Sequence, residues 1–478
     1  MMILNNGYDF NSITRKKILK ATNEALNNYH YRTLFKSEDE IVKHGKYEKS
    51  ELRFILDSIL EVETARKYIL DELYDKMPLS LKEILNLFEF PEENIIRDVI
   101  YLVVQGYLEK FIDKSTGNLR YRLIQKKFKP QKNVIDTISI IQENNLCCQC
   151  GLCSSICPSD GIKLTNKNIF VDEIVCIRCG LCYYVCPQSF SFKDEINYLK
   201  SQKYDLRYTK YLGYYKNIYS ARTHIQKIWD YIQDGGIVST LIYYMLKNKL
   251  VDAVITVKHS KNFWKPEIDI VQDFEKIKQV GGTIYTHTPL LSVLNETKNY
   301  ENIAIIALPC KINALQKGSL FPVRLPLFDN IKYKIGLFCW ESLSYNNMFQ
   351  FIAKNFDVPI YEIIKMNIKK GKFIIDLESG DVLAIPLKEW YKYAYNFCNY
   401  CDDFTAEFAD ISIAGIGSKI GWSTIITRNE NGENLFKKVL NANLIECRDL
   451  KKGDPNIELI EKVSKRKIER CKSIQSNK

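Results

Sequence analysis

Histidine is scarce in this 478-residue sequence, with 5 residues, and that scarcity excludes a histidine-rich mononuclear metal centre. The opening MMILNNGYDFNS has no basic stretch followed by an apolar core, so no secretory leader is expected. No run of 18 apolar residues occurs anywhere, and no membrane-spanning helix is expected. GxSxG, Walker A and HExxH signatures are also missing, which removes the hydrolytic chemistries they carry. The expectation is a soluble, cytoplasmic protein, with any membrane association peripheral and made through a partner.

What is present is a large apolar share, 46%, with 30 tyrosines, enough for a substantial core. At ~150 residues per domain the length suggests about three domains. The net charge of +11 suits anionic ligands such as nucleotide cofactors and acidic coenzymes, as well as nucleic acid, without choosing between them. Fifteen cysteines without a leader point to a reducing compartment and to metal ligation rather than disulfides.

Residues 50–76 carry apolar positions at helical spacing, LKEILNLF follows Ser80, and Pro91 stands as an N1 proline before a third helical run. FIDKSTGNLRYRLI then reads as a hairpin turning at 115–118. Helix, helix, helix, hairpin is the order of a winged helix, giving a helical, winged-helix-like region over 1–126. Its third helix offers Glu92, Glu93 and Asp98 against Arg97 as the one cation, a poor set for reading DNA. A docking or dimerisation role is expected instead. A charged, proline-containing linker at 127–135 separates this region from a cysteine-rich segment.

Two copies of one cysteine pattern stand 29 residues apart. The first is Cys147, Cys150, Cys153 and Cys157, followed by Pro158; the second is Cys176, Cys179, Cys182 and Cys186, followed by Pro187. The two-residue spacings let three thiolates of one tight loop each bind a different iron of a cubane, and the fourth ligand comes from the other motif. One [4Fe–4S] cluster therefore takes Cys147, Cys150, Cys153 and Cys186, and the other Cys176, Cys179, Cys182 and Cys157. Zinc also binds CxxC pairs, but two complete repeats favour clusters. Cys148 falls outside the pattern as a bystander. The run GIKLTNKNIFVDE supplies a short strand pair between the motifs, and residues 136–200 form the expected two-cluster ferredoxin domain.

From 205 onward VDAVITV, ENIAIIAL, YKIGLF, FADISIA and WSTIITR read as strands, alternating with helical patterns in STLIYYMLKNKL and PLLSVLNETKN. The alternation indicates an α/β domain over 205–450. Cys310 and Cys339 end two strand runs, where parallel sheets build sites, and Cys398 and Cys401 form a CxxC. Four such thiols could hold a third cubane or be ordinary buried core cysteines. Cys447 and Cys471 fall in a late strand and in a basic tail, 451–478, expected to be a frayed or solvated helix.

The run YLGYYKNIYSARTHIQKIWDYIQDGGIVSTLIYYMLKNKLVDAVI, with GGTIYTHTPLLSVL, IAIIALPCKINALQK, GLFCWESLS and CDDFTAEFADISIAGIGSKIGWSTIITR in that order, resembles the coenzyme F-420 hydrogenase and dehydrogenase beta-subunit family. The resemblance covers roughly 210–430. With the cysteine-rich segment ahead of it, the chain is similar to the input subunit of F-420 dehydrogenase complexes. The resemblance implies bound FAD taking hydride from reduced F-420, and a third [4Fe–4S] cluster on Cys310, Cys339, Cys398 and Cys401. It also implies flavin contacts from Gly282, Tyr285 and Thr288, with Gly281 beside them. Gly235 and Gly236, with Thr240 in the helix after them, could present backbone amides to a pyrophosphate, although a GG pair before a helix also serves simply as a turn. Family members often carry lysine where Ile284 stands, which leaves the flavin contacts, or the coenzyme preference, open. The chain reads as an F-420-dependent oxidoreductase passing electrons to or from a partner redox complex. The alternatives are a related flavin and iron–sulfur reductase with another hydride partner, and a cluster-sensing DNA-binding regulator.

Overall fold

The structure, a computed structural model, describes residues 8, 10, 13, 15–26, 36, 38–43, 48–124, 138, 141–165, 169–203, 205–260, 264–276, 282–320, 326–448 and 454–476. The expected linker at 127–135 and Gly281 lie outside them. The chain divides into two units: Met1–Asn144 with Leu152–Tyr204 and Ala314–Asp329, and Asn145–Gly151 with Asp205–Asn313 and Asn330–Lys478.

In the first unit the helix Lys49–Leu73 buries Leu52, Ile55, Ile59, Val62, Arg66, Ile69 and Leu73, spaced three and four apart on one face. After β1 (Leu79–Ser80), Ser80 caps the short helix Leu81–Leu85. Its hydroxyl accepts from the Glu83 amide at 3.3 Å while Glu83 Oε2 accepts from the Ser80 amide at 2.7 Å. The helix Glu92–Val104 comes next, with Pro91 as its cap rather than its first residue. The strands β2 (Leu108–Ile112) and β3 (Leu119–Leu123) form the hairpin, and β1 adds antiparallel to β3.

The largest group of buried polar residues in this unit lies on the helix Lys49–Leu73, and its Arg66 meets Asp98 of the third helix. Arg66 contacts Glu63 at 2.5 Å and Asp98 at 2.9 Å, Arg97 stands 3.7 Å from Asp98, and Tyr8 donates to Asp98. Charges taken out of water need partners, and here they have one another. Arg97 is 6% exposed, so the one cation of the third helix faces inward.

The cysteine-rich segment belongs to the same unit from Leu152 onward. It has the helix Leu152–Ile156, an antiparallel pair of β4 (Ile162–Leu164) and β5 (Ile169–Val171), and the helix Leu181–Val185. Tyr184, between Cys182 and Cys186, stacks on Tyr101 at 5.9 Å and accepts from Gln105. Glu195 takes Lys110 at 2.8 Å and the Tyr121 hydroxyl at 3.1 Å. The helical segment and the cysteine segment thus share one packed core.

The second unit holds a separate two-stranded hairpin of β6 (Arg207–Thr209) and β7 (Gly213–Tyr215) and an eight-stranded sheet. Its strands are β8 (Asn217–Thr223), β9 (Ala253–His259), β10 (Pro266–Val271), β11 (Ile303–Ala307), β12 (Ile331–Leu337), β16 (Ile411–Ala414), β17 (Ser423–Thr427) and β18 (Ile445–Arg448). The order is β10-β9-β11-β12-β16-β17-β8-β18. β9, β11, β12 and β16 run parallel, and the outer strands are antiparallel. The sheet is therefore mixed, with four parallel strands at its centre, as an α/β domain allows.

Ile237, Leu241 and Met245 of the helix Ile237–Lys247 pack with Leu435, Phe436 and Val439 of the helix Glu430–Asn441 in its largest core cluster. A smaller sheet, β13 (Ile363–Lys369), β14 (Lys372–Leu377) and β15 (Val382–Pro386), has its own core with Phe351 and Trp390. The basic tail forms the expected helix, Ile457–Ser476, but one face of it is buried rather than solvated. Ile460, Ser464, Lys467 and Cys471 are buried at spacings of four, three and four, which is a helix face.

Candidate redox centre

β11 and β12 are parallel neighbours in register at Ala307 and Gly336, so the chain leaves the sheet twice at one carboxyl edge. Cys310 follows β11 in the first turn of the helix Pro309–Leu320, and Cys339 follows β12 with its amide donating to Phe404 O at 3.0 Å. Cys398 sits in the 3-10 turn Asn396–Tyr400, and the Cys401 amide donates to Cys398 O at 3.4 Å. Burial pushes the Cys339 thiol up to about 12, Lys467 opposes, and Cys310 and Cys401 add to the rise. Burial also raises Cys398, reinforced by Cys339, and Cys401, which feels Lys467 and Cys310. The four cysteines expected to act together are thus electrostatic neighbours.

Among the described residues no three His, Cys, Asp or Glu side chains converge on one point that could hold a single metal ion. A cubane needs no such point, because each thiolate binds its own iron.

Lys467 is 1% exposed, and its Nζ donates to Cys339 O at 2.6 Å and to Asp403 O at 2.8 Å. Burial opposes its charge, yet Cys401, Cys339 and Cys398 hold the ammonium above its usual range. A buried cation is costly unless anions surround it, and an iron–sulfur cluster with its four thiolates is anionic. The donor set and its cation fit a cluster. Arg470 Nη2 donates to Cys398 O at 3.1 Å while Nη1 meets Glu341 at 2.8 Å. Cys471, set aside on sequence, is buried beside Asp402 and Cys401.

In the first unit burial raises Cys182, with Cys179, Cys157 and Cys176 contributing, and raises Cys179 to about 12 with Cys157 and Cys176. Cys157 of the first motif therefore stands among the thiols of the second. Cys153 and Cys186 fall in this unit, while Cys147 and Cys150 fall in the other. Lys317, fully buried, donates from Nζ to Cys186 O at 2.7 Å and to Ser189 Oγ at 3.0 Å.

In the second unit Cys150 O accepts from Leu291 N at 2.9 Å, and a Cβ on Gly151 would lie 2.6 Å from Ser292 N. Cys148, outside the ligand pattern, is 2% exposed, and its thiol is raised by its neighbours Cys150 and Cys310 and by burial. Cys148 in turn lowers Cys310.

The turn ahead of the helix Ile237–Lys247 lies at the same sheet edge. Gly236 caps that helix at φ 70°, and a Cβ on Gly415, just past β16, would lie 2.2 Å from Asp234 Oδ2. Burial raises Asp234, opposed by Lys369 and Lys365, which places two cations beside the helix start. Gly235 serves packing, since its Cβ would meet Ala221 O at 2.5 Å and Ser423 N at 2.6 Å. Thr240 is fully buried, and its hydroxyl is used by Thr223 Oγ1 at 2.7 Å and Gly236 O at 2.9 Å. Tyr285 packs edge-on against Phe373 at 5.6 Å and Trp390 at 5.7 Å. Gly282 lies at φ 84°, and Thr288 is 7% exposed.

The side chains that sequence reasoning passed over are mostly cations and their partners: Lys311 beside His287 at 3.3 Å, Lys317, Lys467 and Arg428. Arg428 is 1% exposed and ties the segment ahead of β16 to the strand itself, through Thr405 O at 3.0 Å and Ser412 Oγ at 3.0 Å. The inward spacing of 460, 464, 467 and 471 was the available signal for Lys467.

Residues 218–295 match the N-terminal domain of the coenzyme F-420 hydrogenase/dehydrogenase beta subunit, and residues 300–453 match its C-terminal domain. The coenzyme F-420 hydrogenase subunit beta of Methanothermobacter thermautotrophicus is 34% identical over 272 residues, 56% of this chain and 96% of that protein. The coenzyme F-420-dependent sulfite reductase of Methanocaldococcus jannaschii is 31% identical over 348 residues, 70% of this chain and 50% of that protein. Among solved structures, a chain of the F-420-reducing [NiFe] hydrogenase complex from Methanosarcina barkeri is similar, with a TM-score of 0.55 and 29% identity over 57% of this chain and 94% of that one. The chain belongs to the coenzyme F-420 hydrogenase/dehydrogenase beta-subunit family.

Proposed function

We propose that the chain is an iron–sulfur flavoprotein that transfers electrons between reduced coenzyme F-420 and a partner redox complex, through FAD and three [4Fe–4S] clusters. It is an F-420-dependent oxidoreductase, the activity shared by relatives named as F-420 hydrogenase, dehydrogenase, formate dehydrogenase and sulfite reductase. The observation that carries the finer reading is one of placement. Cys310, Cys339 and the Asp234–Gly236 turn all stand at the carboxyl edge of the adjacent parallel strands β11, β12 and β16.

FAD would supply the conversion between hydride and single electrons. In this chain its anionic groups would meet the backbone amides after Gly236, with Lys365 and Lys369 alongside. Gly282, Tyr285 and Thr288 would frame its ring, whereas Gly235 and Thr240 shape the turn. Reaction there is a matter of positioning two ring systems, and no dedicated acid or base is required. The first cluster would use Cys147, Cys150, Cys153 and Cys186, and the second Cys176, Cys179, Cys182 and Cys157. The alignment with the sulfite reductase, longer than the 218–453 span, supports a shared architecture beyond the beta-subunit core.

The test is anaerobic reconstitution of the full chain, flavin extraction, iron determination, and oxidation of reduced F-420 with an artificial acceptor. We expect FAD, about 12 irons per chain, and turnover. Absence of flavin, or iron near zero, would overturn the reading. Ile284, where family members often carry lysine, favours a second reading in which flavin and clusters are kept and the hydride partner differs. Turnover with NADH in place of reduced F-420 would establish it.

A further inference from the structure

We propose that Lys467 is a positioning residue for electron transfer, a fixed buried cation that raises the reduction potential of the cluster held by Cys310, Cys339, Cys398 and Cys401. This rests on the third-cluster reading of the proposed function.

Reduction adds an electron to a centre that is already anionic, so a nearby positive charge stabilises the reduced form more than the oxidised one. The effect depends on burial, because water and salt would otherwise screen it. Lys467 is 1% exposed, and its ammonium is fixed by Cys339 O at 2.6 Å and Asp403 O at 2.8 Å, one carbonyl of which belongs to a ligand itself. The Asp403 carboxylate is engaged elsewhere, accepting from the Thr405 amide at 3.0 Å and the Glu407 amide at 3.1 Å. Arg470, which reaches Cys398 O, is matched by Glu341 at 2.8 Å, so its charge is locally balanced. Among the described residues no carboxylate stands at ion-pair distance from Lys467, and the Asp403 charge acts on it after those of Cys401, Cys339 and Cys398. Residues around a cluster that ligate nothing are known levers on its potential. The helix Ile457–Ser476 brings this one in from more than 60 residues beyond Cys401.

The experiment is an EPR-monitored redox titration of the reconstituted full chain, with the third cluster identified by the signal lost in Cys398→Ser. Lys467→Met removes charge and hydrogen bonds; Lys467→Gln removes the charge and keeps a donor; Lys467→Arg keeps the charge. We expect the Met and Gln variants to need a potential lower by 59 mV or more, a tenfold change for one electron. Arg should stay near wild type, and the ferredoxin-type signals should not move. An unshifted midpoint in Lys467→Gln overturns the proposal. If Met and Gln lose the cluster while Arg retains it, the charge requirement stands; if all three lose it, the lysine is a packing residue and the proposal fails. A wild-type spectrum identical to that of Cys398→Ser would instead remove the third cluster, separating that failure from the lysine's.

Discussion

His287 packs edge-on against Tyr395 at 5.8 Å and Phe397 at 5.4 Å, with Lys311 Nζ at 3.3 Å from its Nε2. Burial, with Lys311 acting the same way, holds it well below the usual imidazole range, so the folded chain keeps it neutral. The unfolded chain binds the proton near pH ~6.5 and the folded chain does not. The contribution is complete above that value and is lost as pH falls below it, at up to ~1.4 kcal/mol per pH unit. Urea midpoints measured from pH 7.5 to 5.0 should fall for wild type more steeply than for His287→Gln. Equal slopes would contradict the assignment. At this scale the sequence was partly legible. Spacing picked out the eight cysteines of the two repeats and the CxxC at Cys398 and Cys401, because short, fixed intervals are visible in a sequence, whereas Cys310 and Cys339 were joined to them only by resemblance. Lys311, Lys317 and His287 were silent, because a single polar residue carries no period and its burial is decided by elements far away in the chain.

Elements with one apolar face were read well. The helix Lys49–Leu73, the Leu108–Leu123 hairpin and the five strand runs of the second unit all stand where their periodicity put them. The C-terminal helix was misread as solvated because its polar face dominates its composition, while its inner face uses Ser464 and Lys467 beside Ile460 and Cys471. Strand β8 was likewise missed as a strand, since NIYSART mixes polar and apolar residues although β17 and β18 flank it. That C-terminal helix gives a prediction of its own. A chain ending at Asn456 loses Lys467, Arg470 and Cys471, together with Ile460, which is fully buried with Leu212 and Phe404. Iron after reconstitution should fall from about 12 to about 8 per chain, the ferredoxin-type clusters remaining. Iron equal to that of the full chain would show that the helix is dispensable for the third cluster.

For the molecule as a whole, the net charge of +11 left nucleic acid open as a ligand. Arg97 is committed to Asp98 and Tyr8, Glu92 and Glu93 are exposed, and the neighbouring hairpin packs through Tyr121 and Lys110 on Glu195. The segment therefore supports the cysteine-rich region of its own unit and is poorly equipped to read bases. A gel shift of the full chain with random duplex DNA should show no tight, salt-sensitive complex; one that weakens steeply with salt would restore the regulator reading. Among the described residues no helix is long and apolar enough to cross a membrane.

The placement of β8 also bears on how the chain reaches this state. Asn217 pairs with Thr427, and Thr223 with Ile445, so the first strand of the large sheet can be completed only by two of its last. Pairings of such long range close late and fold slowly. Until residues 423–448 have been synthesised, β8 has neither of its partners, and the fully buried segment Ile303–Ile305 waits with an unfinished sheet around it. High-level production of the protein should therefore respond to slower synthesis and to chaperone capacity as much as to the supply of iron and flavin.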